Sequence, residues 1–115
     1  AGTGSTLAAE DVRWYARLVA SPAHVAGALA MMAGWDLAAL ARDLPRLPVP
    51  LRLLIGERDR TVPPAEAERV RALVPGAEVR RWPGLGHLMH EERPELFADA
   101  VLAFARERAP PAESA

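Results

Sequence analysis

The chain has 115 residues, a formal net charge of −1 and no cysteine, which limits it to about one small domain with a modest core and excludes disulfides and thiol chemistry. All 14 basic residues are arginine, scattered among 15 acidic ones, so no run of positive charge is long enough to follow a phosphate backbone and nucleic acid is excluded as a partner. Half the residues are apolar, yet no apolar run reaches the roughly 20 residues that cross a bilayer, and the composition is that of a soluble globular chain, with the cytoplasm as the expected location.

Residues 1–6, AGTGST, are small and predict a loose, flexible start. Val12, Tyr15, Ala16 and Val19 then recur at helical spacing and predict a first helix over 8–20. Ser21 and Pro22 supply a cap and a first-turn proline for a second helix reaching about Met32. That helix has apolar residues at Val25, Leu29 and Met32 and almost no charge on its other faces, so it expects cover on more than one side. After Gly34, Asp36 caps a short third helix closed by Pro45, and prolines at 45, 48 and 50 space out a linker.

The run LRLLIG, 51–56, lies between a proline and a glycine, is too short for a helix and reads as a strand. Pro63 and Pro64 introduce a helix through about Leu73, with Glu66 and Glu68 in its early turns. A turn at Pro75 and Gly76 leads to a second strand over 77–82, and Pro94 starts a last helix on which Leu96, Phe97, Ala100, Val101 and Phe104 recur at three and four residues. Beyond Arg108 the tail reads as frayed. Strands alternating with helices in units of this length predict a parallel sheet joined by a right-handed crossover, an α/β fold. Two such strands need helices on both faces and leave an edge open, so the chain reads as the C-terminal fragment of a larger α/β protein.

Catalytic and ligand-binding groups collect at the carboxyl ends of parallel strands, and two places here fit. Asp59 follows the first strand in LLIGERDRTVPP, and His87 follows the second in PGLGH, where Gly84 and Gly86 permit turns closed to other residues. Adjacent parallel strands would bring the two within reach, the carboxylate orienting the imidazole and stabilising its charged form while the imidazole moves a proton. The plainer alternatives are that Asp59 organises a turn and that His87 is an ordinary loop residue. His90 reads as a solvated residue at a helix entry, and a metal site from His87, His90 and Glu91 has no recognisable zinc-ligand spacing, so no metal and no cofactor is expected. Met31, Met32 and Trp35 are either core packing or the lining of an adaptable apolar substrate pocket. His24 reads as structural or exposed. The GLG run lacks the lysine and hydroxyl of a phosphate loop.

The stretches PLRLLIGERDRTVPPAEAERV and VRRWPGLGHLMHEERPELFADAVLAF closely resemble the end of the α/β-hydrolase fold. The resemblance implies Asp59 as triad acid, His87 as triad base, and Phe97 and Phe104 as anchors of the closing helix. It divides the chain into the end of a helical cap region and its connecting helix (1–46), a strand–helix–strand–helix part of the hydrolase core (47–108) and the tail (109–115). The run SPAHVAGALAMMAGWDLAALARDLPRL further resembles the magnesium-chelatase accessory hydrolases of bacteriochlorophyll synthesis, which implies a role in magnesium insertion into protoporphyrin, contact with the chelatase, and a porphyrin-like or apolar ester ligand near Met31, Met32 and Trp35. The chain departs from the hydrolase pattern in having no Gly-x-Ser-x-Gly nucleophile elbow; Ser5, Ser21 and Ser114 lie in other contexts, so the chain alone is not expected to perform serine-type acyl transfer. The expectations are thus a serine-type hydrolase whose nucleophile comes from the rest of the protein, or an accessory of tetrapyrrole metabolism. In either case the uncovered faces are filled by the missing N-terminal portion or by a second copy.

Overall fold

The computed structural model describes residues 2–108; the expected frayed tail, 109–115, lies outside them. Three helices come first: α1 (Ala9–Val19), α2 (Pro22–Ala33) and α3 (Leu37–Asp43), the last followed by a single 3₁₀ turn, Leu44–Arg46. Ser21 caps α2 by accepting from the His24 N–H at 3.4 Å, with Pro22 in the first turn, and Asp36 caps α3 by accepting from the Ala39 N–H at 2.8 Å. Both caps satisfy amide groups that a helix start leaves without partners.

Strand β1 (Arg52–Gly56) pairs in parallel with β2 (Glu78–Trp82), in a register running from Arg52 opposite Glu78 to Gly56 opposite Trp82. Helix α4 (Glu66–Leu73) forms the crossover between them. It starts later than the prolines suggest, because Pro63 and Pro64 spend their carbonyls on turns to the Glu66 and Ala67 N–H groups. The chain then makes one helical turn, α5 (Met89–Glu92), which is too short to leave a periodic signal, before α6 (Pro94–Arg108). The architecture is a small α/β fold with two parallel strands flanked by helices.

At the rim of the sheet where the strands begin, Arg52 ties the layers together. Its guanidinium lies 2.6 Å from Glu78 on β2 and 2.6 Å from Glu107 on α6, and stacks 4.4 Å over the Phe104 ring. Among the described residues the buried apolar side chains are few, Ala67, Ala77, Met89 and Ala100, while Val12, Trp14 and Leu18 on α1, Leu29, Met31 and Met32 on α2, and Leu37 and Leu40 on α3 are exposed. A radius of gyration of 17.1 Å, against about 13 Å for a compact chain of some 100 residues, reflects helices that stand off the sheet with their apolar faces uncovered. Among the described residues no single helix is long and apolar enough to cross a membrane; α1 and α2 meet at 86°.

Candidate active site

Because Gly56 and Trp82 are register partners, both strands release their chains at the same rim of the sheet. The two loops stay joined beyond the strands: the Glu57 N–H donates to the Trp82 carbonyl at 3.1 Å and the Arg58 N–H to the Leu85 carbonyl at 2.8 Å. A tight turn, closed by the Asp59 N–H on the Gly56 carbonyl at 3.0 Å, aims Asp59 back across the rim. In the second loop Gly84 holds a positive φ of 82°, as a glycine turn requires. Gly86 answers a different need from the expected turn. A Cβ there would fall 2.4 Å from both Gly4 C and Ser5 N, and one on Gly56 would fall 2.4 Å from the Gly86 oxygen, so three backbones touch where no side chain fits.

This geometry brings Asp59 and His87 together, with Oδ2 2.9 Å from Nδ1. The other carboxylate oxygen accepts from the Thr61 and Val62 N–H groups at 2.8 and 2.9 Å, so Asp59 organises its own turn as well as facing the imidazole. Burial works to raise its pKa, but the His87 hydrogen bond, the Val62 and Thr61 amides and the His87 charge together hold it below the usual carboxylate range. An ionised carboxylate opposite Nδ1 demands a proton on that nitrogen, which leaves Nε2 as the lone-pair face of the ring. The Asp59 side chain is 13% exposed and that of His87 36%, a carboxylate shielded from water behind an imidazole that reaches it. Such a pair can accept a proton at Nε2 and stabilise the resulting imidazolium.

The backbone around His87 is held by the start of the chain. The Thr3 carbonyl accepts from both the Arg60 N–H (3.3 Å) and the His87 N–H (3.1 Å), and Ser5 Oγ accepts from the Leu88 N–H at 2.8 Å. Residues 2–6, expected to be loose, are therefore pinned across both site loops, because their small side chains let the backbone approach closely enough to pair. On α5, the Glu92 carboxylate accepts from the Gly86 N–H at 2.7 Å and the Thr6 N–H at 2.9 Å, and the Tyr15 hydroxyl of α1 donates to Glu91. Sequence reasoning missed this strap and both carboxylate contacts; the one available signal was a pair of glutamates between the histidine and Pro94. His90 is exposed, beside Glu91 at 3.4 Å and against the Phe97 ring at 5.8 Å.

Met31, Met32 and Trp35 are not brought to this pair. They stand exposed at the end of α2 and in the turn after it. Three cavities instead lie along α1 around Trp14; the largest, about 490 Å³, is lined by Trp14, Arg17, Leu18, Ser21 and His24. Arg17 gives it one cationic edge, and its guanidinium stacks 4.8 Å from the Trp14 ring.

Two parallel strands joined by a crossover helix and flanked by further helices fit the hydrolase fold, and the chain belongs to the alpha/beta hydrolase family, whose sequence model matches residues 2–100. It is similar to the magnesium-chelatase 30 kDa subunit of Rhodobacter capsulatus, with 42% identity over 100 residues, covering 87% of this chain and 35% of that protein. It is also similar to the sn-1-specific diacylglycerol lipase ABHD11 of Mus musculus, 34% identical over 55 residues (48% of this chain, 18% of the lipase), and to the uncharacterized hydrolase YugF of Bacillus subtilis, 35% identical over 64 residues (56% and 23%). The chain spans about a third or less of the length of these relatives.

Proposed function

We propose that this chain is part of a cytoplasmic α/β-hydrolase-fold protein that assists magnesium insertion into protoporphyrin in bacteriochlorophyll biosynthesis. The observation that carries this reading is the 42% identity to the magnesium-chelatase 30 kDa subunit, which extends over 87% of the chain and so includes N-terminal helices as well as sheet. The cavity around Trp14 supports it in kind. An indole flanked by Arg17 and His24 suits a flat apolar ring bearing carboxylates, since the ring stacks on the indole while the guanidinium meets an acid group and the imidazole offers an N–H. Met31, Met32 and Trp35 would extend that apolar surface once the rest of the fold, or a second copy, seats over α2. Titration of the whole protein with protoporphyrin, followed by tryptophan fluorescence, tests it: saturable quenching weakened by Trp14→Ala supports the reading, and no quenching at any porphyrin concentration contradicts it.

The Asp59–His87 pair favours a second reading that coexists with the first, acyl transfer on an ester. His87 Nε2 would take the proton of a serine hydroxyl supplied by another part of the protein and return it to the leaving alkoxide, while Asp59 stabilises the imidazolium between those steps. A serine-directed phosphonate that fails to label the whole protein, together with ester turnover unchanged by His87→Ala, would reject this chemistry.

A further inference from the structure

Three consecutive backbone N–H groups at and beside His87 are each taken by a different acceptor: Gly86 by Glu92 Oε1, His87 by the Thr3 carbonyl and Leu88 by Ser5 Oγ. Two of these acceptors belong to the strap of residues 3–6, and the third is the carboxylate that also holds the strap, since Glu92 Oε2 accepts from the Thr6 N–H. We propose that Glu92 is a positioning residue for His87: it cross-links the histidine loop to the strap that leads into α1, and so fixes the ring against Asp59 according to where the cap helix stands.

The chemistry suits a carboxylate. Gly86 and Thr6 present two amide donors from different directions, and the two oxygens of one ionised group satisfy both. Burial works to raise the Glu92 pKa, but the Thr6 and Gly86 amides, the Ser5 hydroxyl and the Arg58 charge outweigh it and keep the group ionised. A glutamine offers one oxygen and turns an NH₂ group toward the other donor, so it can satisfy one of the two amides. Loss of Glu92 frees the Gly86 amide, adjacent to His87, and unties Thr6 at the same time. Glu91, its neighbour, takes the Tyr15 hydroxyl, so this one turn of helix grips the cap region with both carboxylates. The inference rests on the reading of His87 as the site's base, and its test is a property of the ring itself.

The experiment uses the whole protein with ¹⁵N-labelled histidine and follows the His87 Nδ1–H resonance, the proton shared with Asp59, and its exchange with water. Glu92→Gln and Glu92→Ala are expected to speed that exchange at least about tenfold and broaden the resonance. Glu68→Gln, which removes an acceptor of Arg71 and Arg81 on α4 and β2, lowers stability without moving the His87 signal. A His87 resonance that keeps its position and exchange rate in Glu92→Gln overturns the proposal, and that milder variant decides the matter if Glu92→Ala does not fold. The base reading is judged separately, by ester turnover of His87→Ala. Ring exchange that depends on Glu92 together with turnover indifferent to His87 would sink the base reading and leave the positioning intact.

Discussion

Asp59 faces His87 with one carboxylate oxygen and holds its own turn with the other. The two duties can be separated by substitution. Asp59→Asn keeps an oxygen for the Thr61 and Val62 amides but offers the ring an NH₂ group in place of an acceptor, which reverses the favoured tautomer. Under the proposed acyl-transfer reading, the whole protein's kcat on an ester is expected to fall by about 10⁴-fold while the fold survives. Asp59→Ala loses both duties and is expected to cost a further ~1–3 kcal/mol of stability, read from urea denaturation.

The depressed pKa of Asp59 sets a sign for acid behaviour. A carboxylate that ionises more readily folded than unfolded adds stability above its unfolded pKa and loses it as pH falls through the lower folded value. The stability gap between the parent chain and Asp59→Asn is therefore expected to be constant from pH 7 to about 5 and to shrink below about 4. Paired urea titrations measure it, and a gap that widens with acid contradicts the assignment.

Tyr15 is this chain's one tyrosine, and the hydrogen bond to Glu91, with smaller help from burial and from the charges of Glu91 and Asp11, pushes its pKa up to about 12. Absorbance titration of the chain should show phenolate forming near that value, with Glu91→Gln returning it toward the ordinary 10. Because the protonated phenol is the favoured form, the contact stabilises the fold below pH 10 and is lost as pH rises toward 12.

Gly86→Ala would put a methyl group against the backbone of Gly4 and Ser5, which cannot swing aside even if the Ser5 hydroxyl does. An expected loss of ~1–3 kcal/mol should appear as a lowered Tm, accompanied by displacement of the His87 ring.

Asp59 and His87 were legible in the sequence because a strand end is a local event: a short apolar run stopped by glycine, then a polar residue, twice over. Ser21 and Asp36 were legible for the same reason, since a cap acts within three residues. The strap was not. Ser5 meets Leu88 across 83 positions and Thr6 meets Glu92 across 86, and no periodicity records a pairing of that separation. Residues 1–6 looked loose because smallness reads as freedom in a sequence, whereas at 4 and 86 it permits two backbones to touch. Helix α5 escaped notice because four residues complete a single turn. The apolar character of Met31, Met32 and Trp35 was plain, but their cover depends on surfaces that local sequence does not encode.

Magnesium insertion itself tests the central proposal most directly. With purified magnesium chelatase, protoporphyrin, magnesium and ATP, the whole protein is expected to raise the rate of magnesium-protoporphyrin formation in a saturable way, and Trp14→Ala should raise it less. A rate unchanged by the protein across the full range of porphyrin concentrations would contradict the account.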